Sequence, residues 1–319
     1  MKKVSVIIIA RNEEEGISRC IKSVLKQNYK NKEIIVVDDA SSDRTAKIAK
    51  KMKARVITNK KNLGIARSFN VGIKESKGDI IVTLHADAEL VGKNWITGMV
   101  KNLKEDVGGA TSNRIPKFEK QPSTTDKVNF YFGGAYETSN KKNTTEIEWL
   151  PTRCDIFRKK SLTEINYFNK KLRVSGDCID ISTKLRKKGY RLILDPKIKA
   201  LIRLSSQQNS FRKILKKRIN FGKVIPYLLT QHFSWLITNR TWLITTIPYV
   251  AYFWIFILAF FNQIFLILFL LINIVLSFRI SKITGISSFP VAFVLIPIYT
   301  IMWNLGIIYG LFLVNKKII

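Results

Sequence analysis

Acidic side chains stop at Asp195, and residues 196–319 contain none. That stretch still carries 14 Lys and Arg, whereas residues 1–195 hold 40 basic and 23 acidic side chains, so the formal net charge of +31 divides into +14 and +17. Two stretches of unlike chemistry are joined in one chain. Histidine is nearly missing as well: His85 and His232 are the only two, which leaves imidazole chemistry few options. The three cysteines, Cys20, Cys154 and Cys178, are odd in number, scattered and without metal-ligand spacing, as in a reduced, cytoplasmic domain. There is no P-loop, no GxGxxG after a strand, no helical HExxH and no GxSxG. ATPase, dinucleotide-dependent, metalloprotease and serine-hydrolase readings lose their support.

Apolar length takes the place of the missing acids. Residues 241–314 are almost wholly apolar and aromatic, interrupted at Asn262–Gln263 and between Arg279 and Ser288. Residues 242–261 (WLITTIPYVAYFWIFILAFF) and 264–278 (IFLILFLLINIVLSF) read as two membrane helices, and 289–314, with Pro290 and Pro297, as a third that is kinked or tilted. Each is near the ~20 residues a bilayer crossing needs. Ten basic residues between Lys197 and Arg240 precede the first span, and Arg279 and Lys282 follow the second, so both flanks are expected to be cytoplasmic. A third crossing carries Lys316 and Lys317 outside, against that rule, so the segment either re-enters or crosses on a weak signal. Two to three spans are expected. Such basicity commonly marks a nucleic-acid binder, but beside these spans anionic lipid headgroups are the better partner, at about 1 kcal/mol per basic residue near the surface. No nucleic acid is expected.

The first 90 residues alternate. VSVIII (4–9) and EIIVVD (33–38) are β-branched runs, and between them Glu13 to Lys26 has helical spacing, with Ile17, Cys20, Ile21, Val24 and Leu25 on one face. The pattern repeats with a helix over 42–52, a strand over 55–58, a helix over 65–75 and a strand over 79–84. Alternation of this kind gives an α/β fold with a mostly parallel sheet, whose ligands bind at the carboxyl ends of the strands. Asn12, Asp39 and the stretch His85–Glu89 fall on that edge.

IIVTLHADAE (80–89) ends a strand in His85, Asp87 and Glu89, spaced two apart. If the chain stays extended they share one side and can hold a divalent cation and, through it, a diphosphate; otherwise they form a solvated turn. Asp39 can accept hydrogen bonds from a base or ribose, or belong with Ser42 and Asp43 to a helix cap. Asn62–Leu63–Gly64 reads as a turn, and Arg67 after it can reach a phosphate.

Four segments in order, VSVIIIARNEEEGISRCIKSVLKQNY, EIIVVDDASSDRTAKIA, NLGIARSFNVGIKESKGDIIVTLHADAEL and SGDCIDISTKLRKKGYRLILDP, together resemble the family 2 glycosyltransferases of the GT-A fold over about the first 225 residues. The resemblance implies a Rossmann-like catalytic domain, a UDP- or GDP-sugar donor, a divalent metal (Mn²⁺ or Mg²⁺) and inversion at the anomeric carbon. By resemblance Ala10, Arg11, Asn12 and Glu13 line the nucleotide and Asp39 contacts the base, with Asn62, Gly64, Arg67 and Ala86 also at the donor. Asp87 matches the second acid of the Asp-x-Asp metal motif. His85 replaces the first, and Glu89 falls where some relatives supply a further ligand. Gly176–Asp177–Cys178–Ile179–Asp180 is similar to the segment carrying the catalytic base, with Cys178 in place of its second acid. Asp177 is the expected base, and Asp180 either serves instead or is an ordinary helix-first-turn acid. Phe69 stands where many relatives carry Arg. Trp149–Arg158 resembles the acceptor-side loop and strand.

Residues 207–223 (QQNSFRKILKKRINFGK) are similar to the basic interfacial helix of membrane-attached relatives, with Phe211, Ile214, Leu215, Ile219 and Phe221 among the cations. A domain-closing helix with a solvated face fits the same pattern. The expected division is a GT-A domain over 1–206, an interfacial region over 207–240 and an all-α transmembrane region over 241–319. The implied function is sugar transfer, of a hexose in the first instance, to a lipid-linked acceptor at the cytoplasmic face, in glycan or polysaccharide synthesis. Because His85 and Cys178 replace family acids, a non-catalytic nucleotide-sugar-binding partner of an active transferase is the alternative. A transporter is disfavoured, since the spans hold no acid and no repeat.

Overall fold

In the computed structural model, residues 1–118, 120–132, 142–173, 175–204 and 210–315 are described. They run β1 (Val4–Ala10), α1 (Ile17–Leu25), β2 (Lys32–Asp38), α2 (Thr45–Lys51), β3 (Arg55–Thr58), α3 (Ile65–Glu75), β4 (Ile80–His85), β5 (Ala88–Leu90), α4 (Trp95–Lys101), β6 (Val107–Phe118) and α5 (Thr124–Phe132). After these come β7 (Thr145–Glu146), β8 (Cys154–Arg158), α6 (Lys159–Glu164), α7 (Asp177–Lys187), β9 (Arg191–Leu204), α8 (Phe211–Thr238), α9 (Arg240–Leu258), α10 (Gln263–Thr284) and α11 (Phe289–Asn315). They group into two units, one drawn from 1–117 and 138–203 and the other from 118–137 and 204–319. Two findings differ from the expected division: 118–137 groups with the C-terminal helices, and no boundary separates 207–240 from them. The expected helix residues 207–209, and Lys316 and Lys317, lie outside the described residues.

In the first unit a nine-stranded sheet has the order β3-β2-β1-β4-β8-β6-β9-β5, with β7 beside β9. β1 is buried at every position and pairs in parallel with β2 and β4, which is why its sequence is an unbroken apolar run rather than an alternating one. Parallel pairing joins β3, β2, β1 and β4, while β8 returns antiparallel to β4, and β6 antiparallel to β8. The sheet is therefore mixed. On α1, Ile17, Cys20, Ile21 and Val24 are buried, while Leu25 is 51% exposed. α1 begins four residues after Glu13 because Asn12 takes a left-handed φ of 54° and the amides of Glu13 and Glu14 bond to Thr45 and Asp43 side chains.

The second unit is helical. α10 and the stretch Ile286–Leu313 are long and apolar enough to cross a membrane, and α9 contributes a shorter apolar stretch, Thr246–Leu258, among the described residues. Their exposure is inverted relative to a soluble bundle. Phe261, Ile264, Val275 and Phe312 face outward, while Asn273, Ser277, Ser281 and Thr300 are buried. Asn273 Nδ2 donates to the Phe293 carbonyl at 3.0 Å, joining α10 to α11. α8 packs along α11 with backbones in contact: a Cβ on Gly306 would lie 2.3 Å from the Ile219 carbonyl oxygen, so only glycine fits. α8 breaks at His232, where φ is −135°.

Candidate functional site

The carboxyl ends of β1 and β4 open onto a cavity of about 270 Å³. Ala10, Arg11, Glu13, Asp39, Asn62, Gly64, His85, Ala86 and Asp87 all line it, so most of the donor-site residues singled out from sequence converge in space. Asn12, Arg67, Glu89, Asp177 and Asp180 are not in its lining.

Asn12 shapes the rim: its Oδ1 accepts from the Ser42 amide at 2.9 Å, and its own amide donates to Ser41 Oγ at 3.0 Å. Asp39 is buried, and its carboxylate accepts from the amides of Leu63 (2.7 Å) and Gly64 (2.9 Å) and from Asn59 Nδ2 (2.9 Å). It thus builds the wall that Asn62–Gly64 presents to the cavity, while helix-start duty falls to Asp43, whose Oδ1 accepts from the Thr45 amide at 2.9 Å. Gly64 has φ of +85°, and a Cβ there would meet the Arg173 carbonyl oxygen at 2.3 Å. Arg67 turns away, donating from Nε to the Lys170 carbonyl at 2.9 Å. Arg173 stands at the cavity in its place, with Nη2 2.9 Å from the Asn62 carbonyl oxygen. Nothing in the pattern around Arg173 marks it beyond a basic residue shortly before Gly176.

The trio His85, Asp87 and Glu89 does not form one ligand set. β4 ends at His85, the chain turns through Ala86 and Asp87, and β5 then pairs antiparallel with β9, placing Glu89 opposite Leu201. Glu89 bonds to Arg203 and lies 3.8 Å from Arg19 Nε. A carboxylate held by two guanidiniums is a structural ion pair. Among the described residues no three His, Cys, Asp or Glu side chains gather as a metal site.

His85 and Asp87 behave differently. Nε2 of His85 and Oδ1 of Asp87 are both enclosed and without a hydrogen-bond partner, in residues that line the same cavity. Burial lowers the His85 imidazole to a pKa of about 4, with the Asp87 charge opposing and Arg153 reinforcing. The ring is neutral at pH 7, and since the Thr152 backbone also bonds to it, that bond belongs to Nδ1–H and the lone pair is on Nε2. A neutral imidazole and a carboxylate, each with a free lone pair, fit a divalent ion that takes its remaining ligands from a diphosphate and water.

Thr152 and Arg153 lie in the Trp149–Arg158 segment whose resemblance pointed to the acceptor side, although no sequence pattern gave either of them a role. Thr152 has φ of 59°, uncommon for a β-branched residue. Its hydroxyl donates to Asp177 Oδ2 at 2.7 Å, while Arg153 Nη1 lies 3.4 Å from Asp87 Oδ2 and the Arg153 carbonyl accepts from the His85 amide at 3.0 Å. One dipeptide therefore braces His85, Asp87 and Asp177. Asp177 opens α7 after Gly176, whose φ is 82°, and is buried. Burial raises its affinity for a proton, Asp180 adds to this, and the Thr152 bond opposes it. Asp180 is paired with Lys184, Oδ2 to Nζ 2.7 Å, one helical turn on, so the helix-acid reading describes it. Asp155, opposite Thr111 on β6, is fully buried, and burial pushes its carboxyl up to about 7.

Among solved structures, the mannosyltransferase PcManGT from Pyrobaculum calidifontis, in complex with GDP-Man and Mn²⁺, superposes with a TM-score of 0.61 at 18% identity, covering 93% of this chain and 87% of that one. GalNAc-T7, with UDP, GalNAc and Mn²⁺, gives 0.55 at 16% identity, covering 71% of this chain and 48% of that one. These likenesses show the GT-A fold. Among curated proteins, the poly-beta-1,6-N-acetyl-D-glucosamine synthase of Staphylococcus aureus (strain COL) is 27% identical over 205 residues, 61% of this chain and 48% of the relative. The chain spans about half the length of that relative. The family model described as glycosyl transferase family 2 matches residues 5–165, half of the chain and the stretch that supplies most of the cavity: the chain belongs to glycosyl transferase family 2.

Proposed function

We propose that the protein is a membrane-attached, inverting glycosyltransferase that moves a sugar from a UDP- or GDP-sugar to a lipid-linked acceptor, with its catalytic domain on the cytoplasmic side. The observation that carries this is the pair of enclosed, unpartnered atoms, His85 Nε2 and Asp87 Oδ1, in the cavity at the carboxyl ends of the parallel strands. The complexes of PcManGT with GDP-Man and Mn²⁺ and of GalNAc-T7 with UDP and Mn²⁺ support a nucleotide donor and a metal. The S. aureus synthase supports a hexose-type sugar and polysaccharide synthesis. Membrane attachment is supported by α10, the stretch Ile286–Leu313 and their outward apolar faces. The cytoplasmic placement rests on the basic residues between Lys197 and Arg240.

His85 and Asp87 are the side chains that would hold the metal. A divalent ion held there, Mn²⁺ or Mg²⁺, would supply positive charge against that developing on the leaving diphosphate. Ala10 to Glu13, the wall built by Asp39, and Arg173 hold the nucleotide. As the acceptor hydroxyl attacks the anomeric carbon, its proton passes to Asp177, whose raised proton affinity suits that task, while the bond to the diphosphate oxygen breaks on the opposite face. Thr152 fixes the Asp177 carboxylate through its hydroxyl and the His85 ring through its backbone. A phosphate acceptor is already ionised and needs no base, so a strict Asp177 requirement marks a hydroxyl acceptor.

The test is release of nucleoside diphosphate from UDP- and GDP-sugars with the full chain in membranes, Mn²⁺ or Mg²⁺, and polyprenyl phosphate or lipid-linked saccharide. Metal-dependent release lost in Asp87→Ala is the expected result. Donor binding with no release on any acceptor supports instead the non-catalytic partner, the reading favoured by Cys178 at the second acid of the base segment.

A further inference from the structure

Two acids of one short segment meet guanidinium groups in unlike ways. Glu89 is closed: Arg203 Nε donates to its Oε1, and Arg19 Nε lies 3.8 Å from the same oxygen. Asp87 is half open. Arg153 Nη1 stands 3.4 Å from its Oδ2, beyond the roughly 2.7–2.9 Å of a charge-assisted hydrogen bond, and its Oδ1 is enclosed without a partner. Among the described residues Arg153 makes this one ion pair, and its guanidinium donates no hydrogen bond. Its side chain is 29% exposed, while its backbone is fixed, the carbonyl accepting from the His85 amide at 3.0 Å. The head group can therefore change rotamer about a fixed Cα without moving the strand. Its charge also acts on the His85 ring, so both side chains that would hold the metal feel one loosely held cation.

A divalent ion at His85 Nε2 and Asp87 Oδ1 would sit beside that guanidinium. Like charges this close in a partly enclosed site repel, and the ion also competes with Arg153 for the Asp87 carboxylate. A nucleoside diphosphate changes both terms. Its oxygens match the planar five-donor fork that Asp87 leaves almost unused, and its negative charge offsets the repulsion between the two cations. We propose that Arg153 couples metal binding to nucleotide binding: it covers Asp87 in the absence of an ion, opposes the ion alone, and turns to the diphosphate when ion and nucleotide bind together. The site then selects the metal with its nucleotide over the free metal. By linkage, the factor by which nucleotide tightens the ion is the factor by which the ion tightens nucleotide. This rests on the reading of His85 and Asp87 as metal ligands given above.

Calorimetric titration of Mn²⁺ into the full chain in phosphatidylcholine nanodiscs, without and with saturating UDP or GDP, tests this. In wild type the nucleotide should tighten Mn²⁺ binding by about 100-fold. In Arg153→Gln, Mn²⁺ alone should bind about five- to tenfold more tightly than it does to wild type, and the tightening by nucleotide should shrink by about tenfold. Arg153→Lys keeps the charge without the fork, so Mn²⁺ alone should bind as to wild type while part of the coupling is lost. Nucleotide titrations without and with Mn²⁺ should return the same coupling factor for each variant. In Arg153→Gln, a nucleotide-free Mn²⁺ affinity that fails to rise would overturn the proposal, and a fall would mark the arginine as a packing element. Coupling that fails to shrink would assign the synergy to metal–phosphate bonds alone and overturn it equally. Tighter nucleotide-free binding in Arg153→Lys, matching Arg153→Gln, would overturn the charge argument. Failure of the metal reading looks different: Mn²⁺ binding, with nucleotide present, that Asp87→Ala leaves unchanged would remove the site for which Arg153 is the counter-charge.

Discussion

The two units differ in where their enclosed, unpartnered polar atoms lie: the sheet unit brings two of them to one cavity. In the sheet unit the enclosed, unpartnered atoms at the cavity are lone-pair donors to a cation, His85 Nε2 and Asp87 Oδ1; in the helical unit such atoms include both kinds, with Asn273 Oδ1 an acceptor and Arg218 Nε and Trp303 Nε1 donors. At its surface the sheet unit pairs charges, as in Arg191 with Asp106 at 2.9 Å and Arg186 with Glu146 at 3.0 Å. Matched surface pairs of that kind contribute little. An unmatched, enclosed group is costly, and at the cavity a ligand would complete the pair. In the proposed function the cavity pair is completed by a metal with a diphosphate.

The largest effect that can break this comparison is at Asp87. Asp87→Asn should lower nucleotide release by about 10³-fold in kcat/KM, read from initial rates over a Mn²⁺ series; retained activity would put the unfilled oxygen outside the chemistry. Next comes Asp177→Asn, expected to lower kcat by roughly 10²-fold or more on a hydroxyl acceptor with donor affinity unchanged, and Thr152→Val should follow it with a smaller loss, about tenfold. Single-turnover rates separate the two from donor binding.

Asp155 sharpens the comparison through stability. Its carboxyl loses a proton near pH 7 in the fold and near the ordinary 3.8 when unfolded, so between those values unfolding releases a proton and stability falls as pH rises. Asp155→Asn should therefore be near neutral at pH 4 and raise the melting temperature at pH 8, with a slope of about 1.4 kcal/mol per pH unit at most between the two. The smallest effect is expected at Glu89. Glu89→Gln should cost about 1–2 kcal/mol in thermal stability by leaving Arg203 short of its partner, with Mn²⁺ affinity unchanged.

The first four strands and their helices were legible because parallel strands buried on both faces are unbroken apolar runs, and the helices between them keep one buried face. The cavity followed from the same pattern, since ligands of such sheets sit at the carboxyl edge. Glu89 was misplaced because spacing of two predicts a shared face only while the chain stays extended. The turn at Ala86–Asp87, and Arg203, 114 residues away, decide where it points. Thr152, Arg153 and Arg173 reach the site through a positive φ and through side-chain and backbone contacts to residues distant in sequence, which spacing does not reveal. Arg67 looked suited to a phosphate by position, but the Lys170 carbonyl claims it. The grouping of 118–137 with the C-terminal helices rests on packing, such as the bond between Tyr299 and Asn129.

The most direct measurement is Mn²⁺ titration by calorimetry in the presence of UDP or GDP, on wild type, His85→Ala, Asp87→Ala and Glu89→Gln. His85 and Asp87 are predicted to be the protein's ligands, so their alanine variants should each lose at least about tenfold in Mn²⁺ affinity while Glu89→Gln binds as wild type does. Wild-type affinity in His85→Ala, or a comparable loss in Glu89→Gln, would contradict the assignment.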